Sequence, residues 1–227
     1  MKDRADKLLV SLGHFDSRAG ARAAIEAGRV TANGVTVAKP SQMLSSEDVI
    51  LAEAAHPYVS RGGLKLAHAL EAFGVDPAGR HCLDIGASTG GFTDVLLRAG
   101  AAHVTAIDVG REQLHASLRG HPRVTSLEAQ DARTLTAAML PAPPSLLVCD
   151  ASFIGLEKLL DVPLSLAAAG ADLVGLFKPQ FQVGRAHVGK GGLVTDAAAT
   201  ERAADAFAEW MNEKGWPIHA WTASPIS

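Results

Sequence analysis

The chain has 227 residues, 48% of them hydrophobic, with a formal net charge of −3 at pH 7. That length suits one large domain or a small domain plus a medium one, with enough apolar residues for a real core. The negative balance excludes nucleic-acid binding by bulk charge, and two cysteines without metal spacing exclude a disulfide framework or a zinc site. The charged start, Met1 to Lys7, lacks the apolar region of a signal peptide. The longest apolar stretch, Leu164 to Phe177, carries Asp172 and is too short to span a bilayer. A cytoplasmic protein with no membrane role is expected, with Cys82 and Cys149 as core thiols and no metal-ligand pattern among the nine histidines. In chain order, helical spacing over residues 4–13 puts Ala5, Leu8, Leu9 and Leu12 on one apolar face. Ser17 is placed to cap a second helix, with Ala21, Ala24 and Ile25 inward and Gly28 at its end. Arg18 and Arg22 lie one turn apart on its outer face and Arg29 follows, which makes a compact basic ridge. Asn33-Gly34 between Val30 and Val35 signals a hairpin, and Val49-Ile50-Leu51 a further strand. Residues 1–55 therefore read as a small α+β domain, 56–63 as a linker and 64–227 as a second domain.

The pattern Arg4-x-Asp6, Ser17-Arg18-x-x-Ala21, Ile25, Gly28-x-Val30-x-x-Asn33-Gly34 resembles the S4 RNA-binding domain of ribosomal and RNA-modifying proteins. The resemblance implies that Arg4, Arg18, Arg22 and Arg29 meet RNA phosphates, contacts that position a protein without reading sequence. Residues 1–60 hold seven Lys/Arg against seven Asp/Glu, so RNA contact depends on where the arginines sit.

In the second domain, residues 58–70 begin with turn chemistry and become a helix with Leu66, Ala69, Leu70 and Phe73 as its buried stripe. Lys65 leaves that stripe and can reach the rim of a pocket. Leu83-Asp84-Ile85 then runs as a buried strand into Gly86-Ala87-Ser88-Thr89-Gly90-Gly91 and a helix opening with Phe92. This is the layout of a nucleotide-type cofactor site. Ser88 stands where a dinucleotide site has its second glycine, which disfavours a pyrophosphate and a dehydrogenase activity. Asp84, two residues before the first glycine, suits a cationic, amino-acid-bearing ligand such as S-adenosylmethionine. Asp108 closes the next strand where ribose hydroxyls are held, and Asp131, after a strand at 124–127, either accepts from an adenine amino group or caps a helix. Two more apolar runs end in charges, residues 146–150 at Asp150 and 173–178 at Lys178. An α/β fold with a doubly wound, Rossmann-like sheet is expected, its ligands outside the carboxyl ends of the strands. If the last two strands are neighbours, Asp150 and Lys178 touch, as a structural ion pair or a functional one.

From Tyr58 onward the chain resembles the TlyA family of ribosomal RNA 2'-O-methyltransferases, which joins an S4 domain to an FtsJ-like methyltransferase domain. The landmarks are Ser60-Arg61-Gly62-Gly63-Leu64-Lys65-Leu66, residues 84–93, Cys149-Asp150-Ala151-Ser152-Phe153-Ile154, Lys178-Pro179-Gln180-Phe181 and Gly189-Lys190-Gly191-Gly192. The resemblance implies S-adenosylmethionine as cofactor, a ribosomal RNA or ribosomal subunit as partner with Arg61 among the RNA contacts, and a cytidine ribose as acceptor. No obligate protein partner is evident. A catalytic set of Lys, Asp, Lys and Glu maps its first three members onto Lys65, Asp150 and Lys178. Lys178 is then the first choice for removing the hydroxyl proton, with Lys65 holding RNA or hydroxyl and Asp150 confining Lys178. The family's glutamate follows a Ser-Pro-Ile segment on the last strand hairpin, whereas this sequence ends at Ser224-Pro225-Ile226-Ser227. Without that strand and glutamate, reduced stability or activity is expected. The alternative is a noncatalytic RNA-binding or ribosome-assembly protein that keeps the methyltransferase fold. The family's haemolysin label has no support in this composition as a pore-forming activity.

Overall fold

In the computed structural model, which describes residues 2–184 and 187–226, the chain separates into two units, residues 1–57 and 58–227, each with its own apolar core. The terminal Ser227 of the Ser-Pro-Ile-Ser segment lies outside the described residues.

The first unit runs β1 (Lys2–Arg4), α1 (Ala5–Ser11), α2 (Arg18–Glu26), β2 (Val30–Ala32), β3 (Val35–Thr36), β4 (Met43–Ser45) and β5 (Ile50–Ala52). Ala5, Leu8 and Leu9 of α1 pack against Ala21, Ala24 and Ile25 of α2 over Val30 and Leu44. Leu12, expected on the same face, is 44% exposed, because α1 ends at Ser11 and the chain turns away from the helix contact. The Ser17 hydroxyl accepts from the Gly20 N–H and caps α2 as its position predicts. Antiparallel pairing gives the order β3-β2-β5, with the Asn33 side chain accepting from Val49 N–H to hold the hairpin turn against β5. A second pair, β1 with β4, went unread because neither strand is marked by a hairpin turn signal or an apolar run of the kind that marked β2 and β5.

The second unit runs α3 (Gly62–Phe73), β6 (His81–Ile85), α4 (Gly91–Arg98), β7 (His103–Asp108), β8 (Val124–Glu128), β9 (Leu146–Cys149), α5 (Leu156–Ser165), β10 (Asp172–Gly175), α6 (Pro179–Gln182) and α7 (Ala197–Glu213). Its five strands are all parallel, in the order β10-β9-β6-β7-β8. Successive side chains alternate between two cores, as the strand period requires. Cys82, Val104, Leu146 and Val148 meet α3 and α4 on one face, while Leu83, Ile107, Leu147 and Cys149 meet α5 and α7 on the other. Burial on both faces is why these strands read as unbroken apolar runs. Both cysteines are free and buried, and burial pushes each thiol up to about 12, which makes them packing residues rather than nucleophiles.

The strand order reverses between β6 and β9, so the helices that follow them, α4 and α5, pack on opposite faces of the sheet and leave a crevice at the carboxyl ends of the strands. β10 stops at Gly175, three residues before the predicted end, because its partner β9 stops at Cys149 and the ladder closes with Leu176 N–H on the Cys149 carbonyl. Lys178 sits beyond the strand as the extended residue before α6, a backbone that Pro179 favours. No described helix is long and apolar enough to cross a membrane.

Candidate active site

The glycine-rich turn is shaped first by the chain's own convergence. Gly86 has φ +81°, and a Cβ there would lie 3.1 Å from the Ala151 Cα, so the loop after β6 passes against the loop after β9 at backbone distance. Gly91 opens α4 against the start of α3, where a Cβ would meet Ser60 Oγ at 2.3 Å and Gly63 N at 3.0 Å. Both glycines therefore answer to neighbouring backbone before any ligand is considered.

Two carboxylates brace this turn from different sides. Asp108 accepts from Ser88 N–H at 2.8 Å through one oxygen and from Gly110 N–H at 2.7 Å through the other. Each oxygen keeps a lone pair for a further donor. Asp84 is fully buried inside β6; its Oδ2 accepts from the Thr93 hydroxyl of α4 at 2.6 Å, and its Oδ1 has no hydrogen-bond partner among the described residues. Burial raises its carboxyl to about 7, against the pull of the Thr93 hydrogen bond.

A cleft of about 380 Å³ opens in front of the turn, lined by Ala87, Ser88, Thr89 and Phe92 on one side and by Lys65, Asp150, Ser152 and Lys178 on the other. Lys65 comes from α3, one turn after Gly62, and its Nζ lies 3.6 Å from Asp150 Oδ2. Lys178 Nζ lies 2.6 Å from Asp150 Oδ1 and donates to Ser152 Oγ at 2.9 Å and to the Asp150 carbonyl at 3.3 Å. One carboxylate thus stands between two ammonium groups, all three side chains 18–22% exposed. Arg61, at the start of α3, also lines this cleft.

Other predicted residues are placed elsewhere. Asp131 caps a short 3₁₀ turn at Ala132–Thr134, and both its oxygens bind the Arg133 guanidinium at 2.6–3.0 Å, which lowers its carboxyl below the usual range. In the first unit, Arg4 and Arg18 both bind Asp6, a side chain with no exposure, at 2.9 and 2.7 Å. Arg29 faces Glu53 at 3.5 Å, whereas Arg22 is exposed and has no ion-pair partner among the described residues.

Three residues escaped the sequence reading. Ser152 is one. Phe153, next to it, is 90% exposed with φ +68°, a conformation costly for a bulky residue, and its ring lies 5.2 Å from that of Phe181. Glu128, at the end of β8, accepts from Glu112 and Leu114 N–H and so fixes the loop after β7. The signal for Phe153 was available, as an aromatic three residues after the strand-end carboxylate Asp150; its exposure was not.

A parallel sheet with a cofactor-type turn at its switch point and a Lys-Asp-Lys cluster across the cleft belongs to the Rossmann-like methyltransferase class, and residues 58–227 match the family described as FtsJ-like methyltransferase. Residues 3–50 match the S4 domain. A Mycobacterium tuberculosis protein named 16S/23S rRNA (cytidine-2'-O)-methyltransferase TlyA is 45% identical over 225 residues, covering 98% of this chain and 84% of that protein. Hemolysin A of Brachyspira hyodysenteriae is 38% identical over 224 residues, 98% of this chain and 93% of its own length. A solved structure from Streptococcus thermophilus, provisionally described as a hemolysin, superposes with a TM-score of 0.76 at 35% identity, over 99% of this chain and 83% of that one. The chain belongs to the TlyA family, in which an S4 domain precedes an FtsJ-like methyltransferase domain.

Proposed function

We propose that this chain transfers the methyl group of S-adenosylmethionine to the 2'-hydroxyl of a cytidine in ribosomal RNA. The observation that carries the reading is the cleft itself, with the glycine-rich turn on one wall and Asp150 between Lys65 and Lys178 on the other. The residues fit the cofactor. Asp84 keeps one buried acceptor oxygen without a partner beside the turn, suited to a cation, and Asp108 keeps lone pairs for ribose hydroxyls. Gly86, Ala87, Ser88, Thr89, Gly90, Gly91 and Phe92 would complete that side. When bound, S-adenosylmethionine supplies a sulfonium methyl that needs only an oxygen nucleophile in line with it.

The remaining work falls to the protein. Lys178, acting as the neutral amine after giving up its own ammonium proton, takes the proton of the ribose hydroxyl, Lys65 as an ammonium donates to the same oxygen and holds it in place, and Asp150 keeps the two side chains from drifting apart. Positioning of this kind accounts for much of the gain when a reaction needs no metal and no covalent intermediate. Arg61 at the cleft, Arg22 and Arg29 on the first unit, and secondarily Arg4 and Arg18, supply contacts to RNA phosphates. Phe153, exposed beside Ser152, offers a stacking surface to an unstacked base. The test incubates the purified chain with labelled S-adenosylmethionine and unmodified ribosomal subunits, beside a Lys178→Ala control. Label on a cytidine 2'-oxygen is expected; no label above the control overturns the reading.

A further inference from the structure

We propose that Ser152 is a positioning residue that aims the Lys178 amine, an inference that rests on the reaction proposed above. The Asp150 carboxylate supplies the charge facing Lys178, yet it makes no hydrogen bond that would give the amine a direction. Its Oδ1 lies 2.6 Å from Nζ as an ion-pair contact, and that oxygen has no hydrogen-bond partner among the described residues. Attraction between charges depends weakly on angle, whereas a hydrogen bond weakens steeply when bent. The directional contacts to Nζ are Ser152 Oγ at 2.9 Å and the Asp150 carbonyl at 3.3 Å, and the serine is the shorter. Without the hydroxyl, a long flexible side chain would pivot about Asp150 with one weak directional contact remaining.

The surrounding structure holds the serine and the lysine at a fixed separation. Phe153, in its left-handed conformation, turns the chain immediately after Ser152 and sets its ring on Phe181 of α6, the helix that Lys178 begins. With its amide oriented to satisfy both neighbours, Gln182 at the end of α6 accepts from Leu156 N–H and donates to the Glu157 carboxylate, both at 3.0 Å and both on the first turn of α5. Loop 151–155 is therefore tied to α6 through Phe153, and the start of α5 that follows it is tied to α6 through Gln182. Among the described residues Lys65 has no such partner: its Asp150 contact is 3.6 Å, and it makes no hydrogen bond to Ser152.

Two measurements test this. In the first, Ser152→Ala lowers kcat by roughly 10- to 100-fold, the scale of a small misplacement of a reacting group. KM for S-adenosylmethionine and for ribosomal RNA stays within about twofold, because neither ground-state contact is removed. Ser152→Thr, which keeps the hydroxyl, restores kcat, and Ser152→Ala adds no further loss to Lys178→Ala, as expected of a residue acting through that lysine. In the second, reductive methylation with formaldehyde and an amine-borane, mapped by mass spectrometry, modifies Lys178 several-fold faster in Ser152→Ala than in the wild type while Lys65 is unchanged. Wild-type kcat in Ser152→Ala, or equal Lys178 modification in the two proteins, overturns the inference. A wild-type chain that transfers no methyl group overturns the proposed function alone, and the modification rates then decide the role of Ser152.

Discussion

Asp84 and Asp6 are both fully buried carboxylates, and their surroundings drive them in opposite directions. Asp84 has one hydroxyl donor and no cation among its hydrogen-bond partners, so burial dominates and raises it to about 7. A group whose pKa is higher folded than unfolded favours the fold below its unfolded value of about 4 and loses that contribution as pH rises towards 7. The ligand-free wild type should therefore lose stability over that window, by at most ~1.4 kcal/mol per pH unit from this group. Asp84→Asn should flatten the slope, as read from denaturant midpoints between pH 4.5 and 8; equal slopes would mean that Asp84 stays ionised throughout. Asp6 lies between two guanidiniums, and the Arg4 hydrogen bond, then Arg18, holds it well below the usual carboxylate range. Its contribution is present above about pH 4 and is lost only in strong acid. Asp6→Ala at pH 7 should cost about 1–3 kcal/mol, because it strips a shared acceptor from Arg4 and Arg18. The sequence showed Arg4-x-Asp6 and Arg18 but not that one buried oxygen pair faces both arginines, so side chains read as RNA contacts are also structural. Nothing in spacing reveals which of several arginines a carboxylate will claim.

At the scale of elements, the order of strands and helices in the second unit was legible because sheet burial on both faces writes long apolar runs closed by charges. The places where those runs end were less legible. A strand stops where its partner stops, and β9 is set by tertiary packing, so Lys178 fell three residues beyond the observed ladder while still reaching Asp150. The glycine-rich turn was recognised correctly as an element, yet Gly86 meets Ala151 of the loop after β9 rather than open space. Gly86→Ala should therefore act through both loops, since it adds an unfavourable φ and a contact of 3.1 Å to a backbone atom. A destabilisation of about 1–3 kcal/mol is expected, together with weakened S-adenosylmethionine binding by calorimetry. Ala87→Gly, one residue on, should alter stability far less, and similar losses at the two positions would argue against a crossing point specific to Gly86.

For the whole molecule, charge constrains how RNA can be held. A net charge of −3 gives no long-range attraction, and residues 1–60 are balanced between seven basic and seven acidic side chains. Four of the first unit's arginines are candidates, but Arg4 and Arg18 share Asp6 and Arg29 faces Glu53, so most of their positive potential is compensated at short range. Arg22 is exposed on α2 and has no ion-pair partner among the described residues. A residue in that position releases a counterion when it meets a phosphate and leaves no buried partner behind when it is removed. Arg22→Ala should thus weaken ribosomal RNA binding at 50 mM salt, reduce the slope of log K against log salt by about 1, and leave stability within about 0.5 kcal/mol. Arg4→Ala should differ, since it weakens binding only alongside a loss of stability from exposing Asp6. In turnover, Arg22→Ala should raise KM for ribosomal RNA and spare kcat, because the Lys65, Asp150 and Lys178 cleft is built entirely within the second unit. A salt slope identical to the wild type would remove Arg22 from the interface and shift the search to Arg61 at the cleft.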